Sequence, residues 1–181
     1  MSAQMRLWLV AGTLVVAGAC GAPIQSGGTF ERDVSPIRYT TFGWDQSMDS
    51  EVGDPRLDGN VFFEESLHEA IRRELLWRGI AYDPVSPAMI VHHHTAVEEH
   101  VWLAEASDET GEEASYEYPE GRIVVHVLDA QSGATLWVGW AQSDLDPAFT
   151  GPRVMTRWVD DLVSKVFETW PGPERSFDSE R

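Results

Sequence analysis

The chain has 181 residues, 43% of them hydrophobic, so it can bury the core of one domain but is short for two. With 13 Lys and Arg against 30 Asp and Glu, its formal net charge is −17. A surface this acidic repels phosphate backbones and argues against nucleic-acid binding. The single cysteine, Cys20, excludes an intrachain disulfide and a zinc site built from several thiolates.

Residues 1–19 have the pattern of a bacterial lipoprotein signal peptide. A positive charge at Arg6 precedes an apolar run over Leu7–Val16, and the small residues Ala17–Ala19 stand directly before Cys20. The apolar run is too short to span a bilayer as a helix. We therefore predict cleavage before Cys20 and lipidation of Cys20 with palmitate-like acyl chains, which would hold the protein on a membrane.

The membrane in question is predicted from the residue after the cysteine. Gly21 replaces the aspartate associated with inner-membrane retention in enterobacteria, which favours the outer membrane, on its periplasmic side. Ala17 stands where such signals usually carry leucine, so an ordinary secretory signal stays open as an alternative. Inner-membrane anchoring and secretion are the alternative locations.

In chain order, residues 20–28 are small and polar and predict a flexible tether. The β-prone run Arg38–Trp44 predicts a first strand. Asn60–Arg78 has apolar residues at steps of three and four, which predicts a helix that ends at Gly79. Met89–Val97 predicts a second strand.

The acidic segment 98–117 is interpreted as a mobile excursion or as a long hairpin connection whose ends extend the flanking strands. A hairpin follows, with strands Arg122–Asp129 and Thr135–Ala141. Gly133 can adopt positive φ in its turn, and Asp129 can accept hydrogen bonds from nearby backbone. Both faces of this pair carry large side chains, which predicts a place in the middle of a sheet.

A last helix begins at Pro152, a favoured first position, and residues 171–181 are predicted to be a disordered tail. The order β-α-β-β-β-α predicts one α+β domain over residues 29–170. Its architecture is a two-layer sandwich, a mostly antiparallel sheet with two helices on one face. The predicted core includes Leu67, Ile71, Val125, Val127, Val159 and Leu162.

Five motifs, in this order, resemble a family of bacterial lipoproteins catalogued as domain of unknown function 4136. They are Tyr39–Trp44, Leu75–Gly79, the strand around Ile90, the strand from Glu120 to Asp129, and Leu136–Ala141. The resemblance covers about Thr29 to Trp170. It implies an envelope lipoprotein without an established active site, and the acidic segment and the histidine run depart from the family pattern.

Three consecutive histidines form the first candidate site. On a strand His92 and His94 point to one face, and with His126 from a later strand they could bind zinc, copper or nickel. The alternative is a solvated sheet surface. We expect the strands to pair with the three imidazoles out of reach of one another, and so we expect no cofactor.

A second candidate is a ligand groove lined by Trp44, Trp137 and Trp140, against the alternative that these residues belong to the core. The acidic segment only loosely suggests a calcium loop. The sequence lacks a nucleophile elbow, a phosphate loop and a dinucleotide fingerprint, so a hydrolase is the weakest hypothesis. We therefore predict a non-catalytic interaction or structural role with another envelope protein, and divalent-metal binding is the alternative.

Overall fold

The computed structural model describes residues 24–30, 39–45, 54–103 and 115–171. The predicted signal peptide, Cys20 and residues 172–181 of the predicted tail lie outside them. The strands are β1 (Gln25–Phe30), β2 (Thr41–Trp44), β3 (Ala81–Tyr82), β4 (Met89–Leu103), β5 (Ser115–Asp129) and β6 (Thr135–Asp144). The helices are α1 (Val61–Trp77) and α2 (Pro152–Glu168), and a 3₁₀ turn covers Asp146–Thr150.

All six strands form one sheet in the order β1-β6-β5-β4-β2-β3. The pairs β1–β6, β6–β5 and β5–β4 are antiparallel, whereas β2 runs parallel to both β4 and β3. The two helices pack on one face, so the predicted α+β sandwich is confirmed. The hairpin β5–β6 lies inside the sheet, also as predicted.

Local signals explain where α1 begins and ends. The Asn60 side chain accepts a hydrogen bond from the backbone N–H of Phe63 at 3.1 Å, which caps the first turn. After the last turn Gly79 adopts φ of 77°, and the N–H of Ile80 bonds to the carbonyl of Leu75 at 3.0 Å. This is a Schellman stop, and it confirms the predicted helix and its end at Gly79.

The β5–β6 turn also follows its local chemistry. The Asp129 carboxylate accepts hydrogen bonds from the backbone N–H groups of Gln131 (3.1 Å) and Ser132 (2.7 Å), and Gly133 has φ of 71°. The strands reach farther than predicted, because β5 begins at Ser115 and β6 continues to Asp144.

The core lies between the sheet and the helices. All six residues predicted to be buried are completely inaccessible to solvent: Leu67, Ile71, Val125, Val127, Val159 and Leu162. The ends of the two helices are joined by Arg78, which donates to the Glu74 carboxylate at 2.5 Å and to the Phe167 carbonyl at 2.9 Å. The side chains of Glu74 and Arg78 are both buried, and the ion pair between them leaves neither charge buried without a partner.

Two features differ from the sequence-based expectations. The predicted tether over residues 20–28 is wrong for Gln25–Gly28, which belong to β1 and pair with β6. Two glycines made this stretch look flexible, but neighbouring side chains occupy the space that their Cβ atoms would fill: the Trp140 ring beside Gly27 and Thr169 beside Gly28. The short strand β3 was not predicted either.

The acidic connection matches the second of the two interpretations, in which its ends extend the flanking strands. Strand β4 continues to Leu103 and β5 starts at Ser115, and the two pair along their whole length. Among the described residues, no helix is both long enough and apolar enough to cross a membrane.

Candidate functional site

The histidine run lies in β4, where alternation sends its side chains to opposite faces of the sheet. His93 points toward α1, while His92 and His94 point away from the helices. In the β4–β5 register His92 lies directly opposite His126. The expectation that the strands keep the three predicted histidines apart is therefore wrong.

On the face away from the helices, His92, His94 and His126 form a compact group of rings. The ring centroids are 5.9 Å apart for His92–His94, 5.8 Å for His92–His126 and 5.3 Å for His94–His126. Burial lowers the pKa of His94 and of His126, and the charges of neighbouring histidines lower both further. We call this group the histidine trio.

A second group lies on the other face, between α1 and the sheet. Glu64 and His68 are one turn apart on α1, so they share a side of the helix, and His93 faces them from β4. One potential ligand atom from each lies within 4.8 Å of those of the other two. Among the described residues, no other set of three or more His, Cys, Asp or Glu side chains brings its ligand atoms within this distance. We call this set the Glu-His-His group.

Aromatic contacts hold the two histidines of this group. The Trp44 indole stacks on the His68 ring, and its edge meets the His93 ring at a centroid distance of 6.0 Å and 86°. The rings of His68 and His93 lie 4.8 Å apart at 75°. Trp44 itself meets Phe42, which is fully buried in the core, edge to face at 5.4 Å. The group is thus attached to the packed part of the domain.

Burial is the largest cause of the lowered pKa values of the two histidines in this group. It lowers the pKa of His93 to about 3, and the charges of His68, His92 and His94 contribute in the same direction. Burial also lowers the pKa of His68. Both imidazoles are therefore neutral at neutral pH, which is the form that binds metal ions.

The predicted tryptophan groove is not formed. Trp44 and Trp137 lie on the helix side of the sheet, whereas Trp140 lies on the other side with Arg122 5.3 Å from its ring. Trp137 is only 1% exposed and packs against Phe167, and its indole N–H donates to the Thr169 carbonyl at 3.3 Å. The alternation of β6 separates Trp137 from Trp140, so these rings cannot line one groove.

An open depression of about 490 Å³ lies on the same face as the histidine trio, at one end of the sheet. Its lining includes Tyr82, Pro87, Ile90, Leu128 and Asp129. Asp129 is already engaged, because it accepts from the Tyr39 hydroxyl at 2.9 Å and from the turn backbone.

Sequence reasoning missed Glu64 and His68. Their spacing of four on a predicted helix places them on one side, and that signal could have been found. Their approach to His93 could not, because it depends on how α1 lies across β4. The trio depends in the same way on the register between β4 and β5.

The model of the family described as "Domain of unknown function (DUF4136)" matches residues 29–172. The chain belongs to this family. Among curated protein sequences, none matches the chain.

The comparison with solved structures finds similarity at low sequence identity. A PDZ domain protein from Parabacteroides distasonis has a TM-score of 0.54 and 13% identity. The match covers 85% of this chain but only 38% of that protein's chain. The PelC dodecamer from Paraburkholderia phytofirmans gives a TM-score of 0.46 at 12% identity, covering 84% of this chain and 100% of that one. At such identities the first similarity shows the fold alone.

Proposed function

We propose that this DUF4136 chain is a lipid-anchored envelope protein that faces the periplasm and binds another envelope protein without catalysing a reaction. The anchor would be Cys20, behind the signal-like residues 1–19. Gln25, the first residue of β1, follows Cys20 by five positions. At about 3.3–3.6 Å per residue, five residues reach no farther than about 18 Å. A lipid on Cys20 would hold the domain against the membrane surface.

The observation that carries the binding role is an arm formed by β4 and β5. Beyond the end of β2 at Trp44 and the end of β6 at Asp144, the two strands continue as a pair. His100–Leu103 and Ser115–Tyr118 pair with each other, and among the described residues no third strand joins them. A two-stranded ribbon has marginal stability alone, so a partner would stabilise it.

The sequence that connects β4 to β5 indicates the chemistry of the partner. The connection between the strands contains Glu105, Asp108, Glu109, Glu112 and Glu113 and no basic residue. Such a concentration of negative charge attracts a basic surface, increases the rate of association and repels acidic competitors. The proposed partner is therefore an envelope protein that presents a basic surface to the arm.

Two experiments test the proposal. Intact mass of membrane-extracted protein should show acyl chains on a chain that begins at Cys20, and Cys20→Ser should release the protein from the membrane. An unmodified chain with a different first residue would refute the anchor, as would full membrane retention of Cys20→Ser.

The binding role is tested by mild crosslinking in intact cells followed by purification from membranes. A variant with the five acidic residues of the β4–β5 connection changed to Gln or Asn should lose a basic partner that the unmodified chain captures. The matched control, Glu65→Gln with Asp161→Asn, removes exposed charges from the helices and should retain that partner. Equal capture by both variants would contradict the role of the arm.

We infer divalent-metal binding by the histidine trio as a second candidate function, because the β4–β5 register brings the three rings within 5.9 Å of one another. Calorimetry with zinc and copper tests it. A stoichiometric site abolished by His92→Ala with His94→Ala would support the trio, and unchanged or absent binding would refute it.

A further inference from the structure

The Glu-His-His group combines the ligand types that bind transition-metal ions. Two imidazole nitrogens and one carboxylate oxygen form a donor set that proteins use to hold zinc, with one coordination position left for water or another ligand. Calcium and magnesium prefer sites made wholly of oxygen. The chemistry of the donors thus selects a first-row transition metal.

The distances within the group suit such an ion after small side-chain rotations. The three donor atoms lie within 4.8 Å of one another. Ligands at about 2.0–2.1 Å from a tetrahedral ion are roughly 3.3 Å apart. Glu64 is only partly buried, and rotation about its side-chain bonds would shorten its distances to the two imidazoles while the His68 ring stays stacked on Trp44.

The backbone on either side of the group is fixed by core residues. On α1 the neighbours Phe63 and Leu67 are fully buried, and on β4 Val91 and Thr95 flank His93 with 1% and 5% exposure. Trp44 restricts the His68 ring by stacking at 4.4 Å and an interplanar angle of 18°. Ligands held this way lose little freedom when an ion binds, which favours affinity.

We propose that Glu64, His68 and His93 form a binding site for one divalent transition-metal ion between α1 and β4. Zinc is the ion whose preferred ligand set matches the group most directly, and copper is a tighter-binding probe of the same nitrogen ligands. The site lies on the opposite face of the sheet from the histidine trio, so the two can be tested separately. It also does not depend on the anchor or on the arm.

The test uses the full chain, purified in detergent and freed of metal, titrated with zinc in a calorimeter. We expect one ion bound at the Glu-His-His group, counted as the stoichiometric binding that is lost when its ligands are substituted. His68→Ala and Glu64→Gln should each weaken binding by at least about tenfold, since loss even of an outer partner of a metal ligand costs about 10–100-fold. Both side chains are on the accessible part of α1, so these variants should fold, and circular dichroism checks that they do.

The control variant is His126→Ala, which removes a histidine from the trio and should leave zinc affinity unchanged. Copper titration gives a second readout, because the ion would lie beside the ring of Trp44 and quench its fluorescence. That quenching should disappear in Trp44→Phe and in His68→Ala. Absence of stoichiometric binding, binding that survives both ligand substitutions, or loss of binding in His126→Ala would overturn the proposal.

Discussion

The indole of Trp44 lies almost parallel to the imidazole of His68, with ring centroids 4.4 Å apart and an angle of 18° between the planes. This contact joins the second strand of the sheet to the accessible side of the first helix. It also links the packing of the domain to the proposed metal site, because His68 is one of the three candidate ligands.

Removing the indole should therefore destabilise the domain even in the absence of metal. Trp44 is half-buried and contacts Phe42 in the core as well as His68 and His93. We expect Trp44→Ala to lower the free energy of unfolding by about 2–3 kcal/mol, somewhat less than for a fully buried tryptophan. Trp44→Phe keeps an aromatic ring and should lose less than half as much. Urea unfolding of the metal-free protein measures both, and equal losses would show that ring stacking is unimportant here.

The core between helices and sheet provides the second prediction. Leu67 of α1 and Leu162 of α2 are completely buried. Truncation of either to Ala should cost about 2–5 kcal/mol, from lost apolar transfer and from the cavity that remains. Val85→Ala is the control, because Val85 is 90% exposed, and it should change stability by less than about 0.5 kcal/mol. Losses below about 1 kcal/mol at both leucines would contradict the observed packing.

The third prediction concerns Gly139, which lies in β6 beneath α2. A Cβ atom there would collide with the Trp137 ring and lie 2.9 Å from a Val166 methyl group. Gly139→Ala should destabilise the domain by about 1–3 kcal/mol through overpacking. At Gly151 the space that a Cβ atom would occupy has no neighbour within 4 Å, and this residue precedes α2 as its N-cap. Gly151→Ser should be neutral or slightly stabilising, because serine is a favoured N-cap. Thermal unfolding compares the two.

The fourth prediction is a dependence of stability on pH. Asp54 is buried and accepts hydrogen bonds from the backbone N–H and the guanidinium of Arg56, the latter at 2.6 Å. These hydrogen bonds hold the pKa of Asp54 below its ordinary value of 3.8. As the pH falls, the carboxylate of Asp54 is therefore protonated in the unfolded chain before it is protonated in the folded one. The contribution of Asp54 to the free energy of unfolding is present above its ordinary pKa and is lost as the pH falls through the folded-state pKa.

Asp54→Asn should accordingly reduce the free energy of unfolding by about 1–2 kcal/mol at pH 7, allowing for the exposure of Arg56. The difference from the unmodified chain should shrink as the pH falls toward about pH 3 and below. Urea unfolding across this range measures it. The control is Asp161→Asn on the exposed side of α2. A difference that stays constant with pH would show that the charge of Asp54 is not the cause.

Local signals in the sequence were sufficient for much of the fold. The Asn60 cap and the Gly79 stop define α1, and Asp129 with Gly133 defines the β5–β6 turn, because each depends on groups within a few residues of itself. Alternation along β5 identified the buried side chains Val125 and Val127 for the same reason.

What the sequence did not reveal depends on contacts between distant residues. The glycines of β1 suit a strand only because Trp140 and Thr169 fill the space beside them. Likewise Glu64 and His68 become a candidate site only where α1 crosses His93. Propensity and periodicity contain no information about such long-range approaches, which are set by the assembled sheet.

The contact between Gly28 and Thr169 brings the first strand of the domain beside the residue that follows its last helix. The first strand and the end of the last helix of the described domain are therefore neighbours, as the ends of many domains are. A short linker could join the end of α2 to the start of β1, with new termini opened at the exposed β5–β6 turn. Such a circular permutant would keep every strand pairing of the sheet. In the natural order, a reporter protein fused directly after α2 would lie beside β1.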